Sequence, residues 1–71
     1  MNQETFNLSI RRFLKMVGIN SQREIEHAVE KALADRALNG NESLPAKMTL
    51  EIPGLKLKVE FDGAIELERH E

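Results

Sequence analysis

The 71-residue chain contains no cysteine, no tryptophan and no tyrosine, and it has no long apolar run. Without cysteine, disulfides and thiolate metal sites are excluded. Its apolar runs last only a few residues, far from the ~20 residues that span a bilayer. Residues 1–5 lack the basic region and the apolar stretch of a signal peptide, so we expect a cytoplasmic protein without a membrane segment.

Charge is mixed rather than of one sign. Ten basic and twelve acidic residues give a net charge of −2, whereas general affinity for nucleic acid is usually accompanied by a strong basic excess. Residues 1–20 carry Arg11, Arg12 and Lys15 against Glu4 alone, a local balance of 3 − 1 = +2. A domain this small buries only about 60% of the surface of its unfolded chain, and self-association is the obvious additional source of stability.

The first half of the chain predicts two helices. Helical spacing over residues 3–17 is shown by five apolar side chains: Phe6, Ile10, Phe13, Leu14 and Val17. Asn2 or Thr5 is placed to cap the start, and Gly18 suits the left-handed turn that ends many helices. Ser21 and Glu24 match a capping box, which predicts a second helix over about 22–38. The short link between them predicts a helical hairpin.

The second half predicts three strands, at about 47–52, 55–60 and 64–68, after a loop over residues 39–45. A tight turn at Pro53-Gly54 would place Ile52 opposite Leu55, so that Leu50 pairs with Leu57 and Met48 with Val59. A bulged turn at residues 61–63 would place Val59 opposite Ile65. On the polar face, Lys56 would then lie between two glutamates, Glu51 and Glu68.

These elements predict a single α+β domain over residues 1–71, in two layers and in the order ααβββ. The helical hairpin packs on one face of a three-stranded antiparallel meander. Its predicted core has sixteen members: Phe6, Ile10, Phe13, Leu14, Val17, Ile25, Val29, Leu33, Met48, Leu50, Ile52, Leu55, Leu57, Val59, Ile65 and Leu67.

Few residues suggest a catalytic or metal-binding role. Glu24 and His27 have the spacing by which di-iron bundles present two ligands, but His27 lies about 200° around the helix from Ile25 and faces solvent. The other histidine, His70, belongs to the C-terminal tail. A helix-turn-helix interpretation of residues 18–21 places an acidic helix against phosphates, which would repel it. We therefore predict no catalytic residue, no metal site, no cofactor and no enzyme.

The outer face of the first helix carries a candidate interaction patch, consisting of Leu8, Arg11, Arg12 and Lys15. An ordinary solvated basic face explains this cluster. The less favoured alternative is a docking patch for an acidic partner, a phosphate-bearing ligand or RNA, with the arginines as anchors and Leu8 as the apolar contact.

Several segments together resemble a family of short, uncharacterised bacterial proteins classed as a domain of unknown function. The resemblance covers nearly the whole chain and is carried by the run Ser9–Lys15, the run Ser21–Glu26, and Gly40-Asn41-Glu42 followed by Ile52–Leu55. It implies a bacterial cytosolic protein, and it implies no activity and no catalytic residues.

The sequence therefore leaves the function unknown. The interpretation that fits best is a small non-catalytic protein-interaction module, binding a partner or forming a homodimer through open sheet edges and the outer face of the first helix. The alternative is weak binding of nucleic acid or a phosphate ligand by Arg11, Arg12 and Lys15.

Overall fold

A computed structural model describes residues 1–69 of the chain, which divides into two compact units, Met1–Ala37 and Leu38–Glu71. The first unit contains one helix, α1 (Gln3–Ala34). The second contains two strands, β1 (Ser43–Ile52) and β2 (Leu57–Glu66), joined by a short 3-10 turn. The predicted helical hairpin on a three-stranded meander is therefore wrong, because the described residues form one long helix and a two-stranded antiparallel sheet.

Helix α1 continues through the segment predicted to link two helices. A glycine inside a helix costs about 1 kcal/mol relative to alanine, and a serine cap is worth a similar amount. A break at Gly18 would leave several backbone N–H and C=O groups without helical partners on each side. Gly18 lies inside α1 and has no positive φ, so it does not end the helix. The capping-box sequence that begins at Ser21 also lies inside α1 and therefore does not cap a second helix.

The two ends of α1 are set by capping groups. At the start, the Asn2 side chain accepts a hydrogen bond from the Thr5 N–H at 2.9 Å, so the expected cap at Asn2 is confirmed. At the end, Arg36 adopts φ 59°, and the Ala37 N–H donates to the Ala32 carbonyl at 2.8 Å. This is a Schellman motif, which ends the helix four residues before the predicted boundary.

Strands β1 and β2 pair over their full length, in a register two residues away from the predicted one. Ile52 lies opposite Leu57 rather than Leu55, and Leu50 lies opposite Val59. Proline explains the shift, because two-residue hairpin turns need a positive φ at their first central residue and Pro53 cannot adopt one. The turn instead takes four residues, and Lys56 supplies the positive φ, 52°.

The predicted third strand is the far end of β2. Gly63 has no positive φ, so the predicted bulged turn does not form, and Asp62 and Gly63 pair with Lys47 and Ala46. Strand β1 begins at Ser43, which extends the sheet into the predicted loop. Both strands of a two-stranded sheet are edges, and edges tolerate a proline such as Pro45.

None of the residues that the structure describes is buried, so none of the sixteen predicted core residues forms a core. Leu57 was predicted to sit at the centre of the sheet, but it is only half-buried and lies beside the turn. The two units therefore present their apolar side chains at the surface.

Candidate interaction surfaces

The outer patch predicted from sequence, Leu8, Arg11, Arg12 and Lys15, lies entirely within α1, and all four residues are exposed. At about 100° per residue, they occupy an arc of about 100° on the side of the helix away from Phe6. The three cations make no ion pair with any residue that the structure describes. The structure therefore brings these four side chains together on one surface.

The opposite side of α1 carries an apolar strip that includes six of the eight α1 residues predicted from sequence to form the core. We call it the α1 stripe, and its eight members are Phe6, Ile10, Phe13, Leu14, Val17, Ile25, Ala28 and Ala32. At about 100° per residue, they fall within an arc of about 120°, and the other two predicted core residues, Val29 and Leu33, lie outside it. Among the exposed large members, exposure runs from 37% for Ile25 to 55% for Leu14, and Val17 is half-buried.

The β1–β2 sheet has one apolar face and one polar face, because neighbouring residues of a strand point to opposite sides. Its apolar face, which we call the ribbon face, consists of five cross-strand pairs: Leu44–Ile65, Ala46–Gly63, Met48–Phe61, Leu50–Val59 and Ile52–Leu57. None of the ten residues is buried, and Phe61 is 56% exposed. The polar face carries charged pairs, including Glu51 opposite Lys58, and an ion pair of 3.5 Å between Lys47 and Glu60.

A carboxylate organises the loop between α1 and β1. Glu42 Oε2 accepts the Asn39 N–H at 2.8 Å, and Oε1 accepts the N–H groups of Gly40 and Asn41 at 2.9 and 3.1 Å. Hydrogen bonds from the backbone, that of Asn39 first, lower the pKa of Glu42 from its ordinary value. Since Gly40 adopts φ 103°, the loop also needs glycine there. In the sequence, Glu42 stands out only as part of the segment Gly40-Asn41-Glu42 that carries the family resemblance, and no role was predicted for it.

Candidate metal ligands do not cluster among the residues that the structure describes. Residues 1–69 bring together no three histidine, aspartate or glutamate side chains that could hold a metal ion. Glu24 and His27, the pair with di-iron spacing, are exposed on α1, and His70 lies outside the described residues. One open depression is lined by four polar or charged residues: Ser43, Glu66, Glu68 and Arg69. There the Ser43 hydroxyl donates to Glu66 at 2.8 Å, which is a structural contact between strands.

Membrane insertion of a helix finds no support in the described residues. No helix within residues 1–69 has both the length and the apolar character that a bilayer crossing requires.

Comparison with known protein families identifies the family of this chain. The model of a family described as a family of unknown function (DUF6494) covers residues 1–68. No curated protein and no solved structure matches the chain. The prediction of an uncharacterised domain family is confirmed, and a bacterial origin stays a prediction.

Proposed function

Because the chain belongs to this family of unknown function, we propose a role from its own surfaces: it is a small, non-catalytic, cytoplasmic protein-interaction module. Its partner covers the α1 stripe, the ribbon face, or both. The observation that carries the proposal is the absence of any buried residue among those that the structure describes.

Each unit also needs a cover for its own stability. Most of the stability of a protein helix comes from packing of its amphipathic face, and α1 contains Gly18, a poor helix former, near its middle. A two-stranded hairpin alone is marginally stable in water at best. Burial of Phe13 or Phe61 by a partner would contribute about 1.5–3 kcal/mol for each side chain.

The experiment is circular dichroism of the purified chain over a dilution series from millimolar to nanomolar, with hydrogen exchange on the same samples. Helix content that rises with concentration supports the module and identifies the partner as a second copy. Low helix content at every concentration supports the module with a different protein as its partner. A monomer that is fully helical and protected at every concentration would overturn the proposal, because its apolar faces would then need no cover.

A second candidate function is weak binding of RNA or another phosphate-bearing ligand by the outer patch, favoured by its three cations without ion pairs. Each phosphate contact to a single strand contributes about −0.7 to the slope of log K against log salt. Replacing Arg11, Arg12 and Lys15 with alanine should therefore reduce that slope by about 2 for a single-stranded RNA probe. An unchanged slope would rule this function out.

A further inference from the structure

We propose that the outer edge of β1 pairs antiparallel with the same edge of a second copy of this chain, so that two hairpins form one four-stranded sheet with a two-fold axis at Thr49. This inference goes beyond the proposed function, because it concerns an edge of the sheet rather than the α1 stripe or the ribbon face. Three features of β1 support it: the direction of its backbone groups, the positions of the prolines and the charges of its polar side chains.

The odd-numbered residues of β1 direct their backbone N–H and C=O groups away from β2. The Leu67 N–H donates to the Glu42 carbonyl at 3.0 Å, one step beyond the pair Ser43–Glu66. In an antiparallel ladder, pairs that exchange hydrogen bonds alternate with pairs that do not. Because the register of β1 and β2 contains no bulge, the outward groups near the centre of β1 are those of Lys47, Thr49 and Glu51. All three residues are exposed, and no other strand of the described residues pairs with this edge.

Prolines limit the part of this edge that can pair. Pro45 and Pro53 have no N–H, and residues 46–52 between them are centred on Thr49. With the axis at Thr49, Pro45 lies opposite Pro53 of the second copy, so the new ladder ends where both donors are missing. Thr49 would exchange two hydrogen bonds with its counterpart, and Lys47 would exchange two with Glu51 of the second copy. Every outward N–H between the prolines therefore finds an acceptor.

Charge favours the same register. With the axis at Thr49, Lys47 faces Glu51 of the second copy on the polar side of the sheet, and this pair occurs twice. Within each chain, Lys47 lies opposite Asp62 and Glu51 lies opposite Lys58. A row across the four strands then alternates in sign, from Asp62 and Lys47 of one copy to Glu51 and Lys58 of the other, which stabilises the pairing. In a dilute, monomeric chain, only the pairs within the hairpin contribute to stability.

Neighbouring registers lose one of these features. An axis at Lys47 or at Glu51 would place like charges opposite each other, which is destabilising. An axis at Met48 or at Leu50 would bring a proline into the ladder in place of a charged partner, and the N–H opposite that proline would still have an acceptor but would offer its own carbonyl to no donor. The register centred on Thr49 is therefore the favoured one.

The outer edge of β2 is not suited to the same pairing. Its outward residues are the even-numbered ones, which include one cation, Lys58, and three acids, Glu60, Asp62 and Glu66. Every two-fold register that pairs three or more of these even-numbered positions places two acids opposite each other, and this opposes association. Of the two edges, β1 is therefore the one that accepts a second copy.

Pairing also supplies strands that a single hairpin lacks. A two-stranded sheet needs further strands with an apolar face, or a packed helix, to be stable. A two-fold axis perpendicular to the sheet keeps both ribbon faces on the same side. Met48 then lies opposite Leu50 of the second copy, and Ala46 lies opposite Ile52 of the second copy. The result is one apolar face that crosses four strands.

Mixing two charge variants of the full chain tests the register. One variant carries Lys47→Glu and the other carries Glu51→Lys, and one of them is isotope-labelled so that native mass spectrometry separates the three dimers. Each homodimer places like charges opposite each other, whereas the mixed dimer places glutamate opposite lysine at both sites. We expect the Kd of the mixed dimer to be about 10- to 100-fold below the geometric mean of the two homodimer Kd values. Effects within each hairpin cancel in this comparison.

A mixture of Lys58→Glu with Glu60→Lys, on the outer edge of β2, is the matched control and should show no preference for mixed dimers. The same lack of preference between the Lys47→Glu and Glu51→Lys variants would overturn the inference. So would a wild-type chain that stays monomeric at millimolar concentration. Either result would leave the interaction module standing, with a different protein as its partner.

Hydrogen exchange of the wild-type chain tests the same pairing without any substitution. Raising the concentration from micromolar to millimolar should slow the exchange of the outward amides of β1, those of Lys47, Thr49 and Glu51, about ten-fold or more. The outward amides of β2, such as those of Glu60 and Asp62, should exchange at an unchanged rate. Slower exchange at the edge of β2 instead of β1, or no change at either edge, would overturn the inference.

Discussion

Leu8 and Phe13 expose the same fraction of their surface, 46% each, from opposite sides of one helix. They lie five residues apart, and their side chains are separated by about 140° around α1. Phe13 belongs to the α1 stripe, and Leu8 belongs to the outer patch. A helix that stayed alone in water would respond similarly to a polar substitution at either position, whereas a helix covered along its stripe would not.

Phe13→Asp should weaken association through the α1 stripe by about 100-fold or more. The complex would lose the burial of an aromatic side chain, about 1.5–3 kcal/mol, and would bury a carboxylate in its place. Sedimentation equilibrium measures the effect. Leu8→Asp is the matched control and should leave the Kd within about three-fold of the wild type. Equal weakening by both substitutions would show that the stripe is not the contact surface.

The observed strand register places Glu51 opposite Lys58, whereas the register predicted from sequence places Glu51 opposite Lys56. Lys58→Glu should therefore lower the free energy of unfolding by about 0.2–1 kcal/mol, because like charges then face each other across the sheet. Adding Glu51→Lys to the same chain should restore it. Chemical denaturation at one fixed protein concentration measures both variants. A greater loss from Lys56→Glu than from Lys58→Glu would contradict the observed register.

The turn between the strands holds Lys56 at φ 52°, a region that favours glycine. Lys56→Gly should raise the free energy of unfolding by about 0.5–1 kcal/mol, because it removes the contact of the Cβ with the following carbonyl. Lys56→Val should lower it, since a β-branched side chain is strained at positive φ. Lys58→Gly, at a strand position, is the control and should destabilise the sheet. A destabilised Lys56→Gly variant would contradict this account of the turn.

Backbone hydrogen bonds lower the pKa of Glu42 in the folded chain. A carboxyl group with a lowered folded pKa contributes stability above its unfolded pKa, and that contribution is lost as the pH falls through the folded pKa. Glu42→Gln should therefore lose stability at neutral pH and show a shallower decline towards acid. Unfolding measured from neutral to strongly acid pH checks this. Glu30→Gln is the control, because Glu30 accepts no hydrogen bond from any residue that the structure describes.

The hydrophobic periodicity of the sequence predicted which side chains share an apolar face, but it did not predict what each face packs against. The apolar segments on either side of Gly18 were predicted correctly as helical. Gly18 and the capping box at Ser21, each worth about 1 kcal/mol, were interpreted as a break between two helices. An unbroken helix keeps its backbone hydrogen bonds through Gly18, and the proposed partner would compensate for the side chains exposed on the stripe. A sequence considered as a single chain contains no information about that partner.

The strands illustrate the same limit. Residues such as Met48, Leu50 and Val59 share a face as predicted, because a shift of two residues preserves the alternation. The pairing itself depended on the turn, and the fixed φ of Pro53 was the signal that could have identified it. Pro45, by contrast, favoured a loop over residues 39–45, but it lies within β1, because an edge strand tolerates proline. The four residues of the outer patch are exposed on α1, and their role stays a prediction.

The most direct test is the mobility of a spin label attached to a single introduced cysteine in this cysteine-free chain. Ala28→Cys places the label on the α1 stripe, whereas Lys15→Cys places it on the outer patch, about 140° away around the helix. If a partner covers the stripe, the label at position 28 should be immobilised in the complex while the label at position 15 stays mobile. Equal mobility of both labels in the complex would contradict the account.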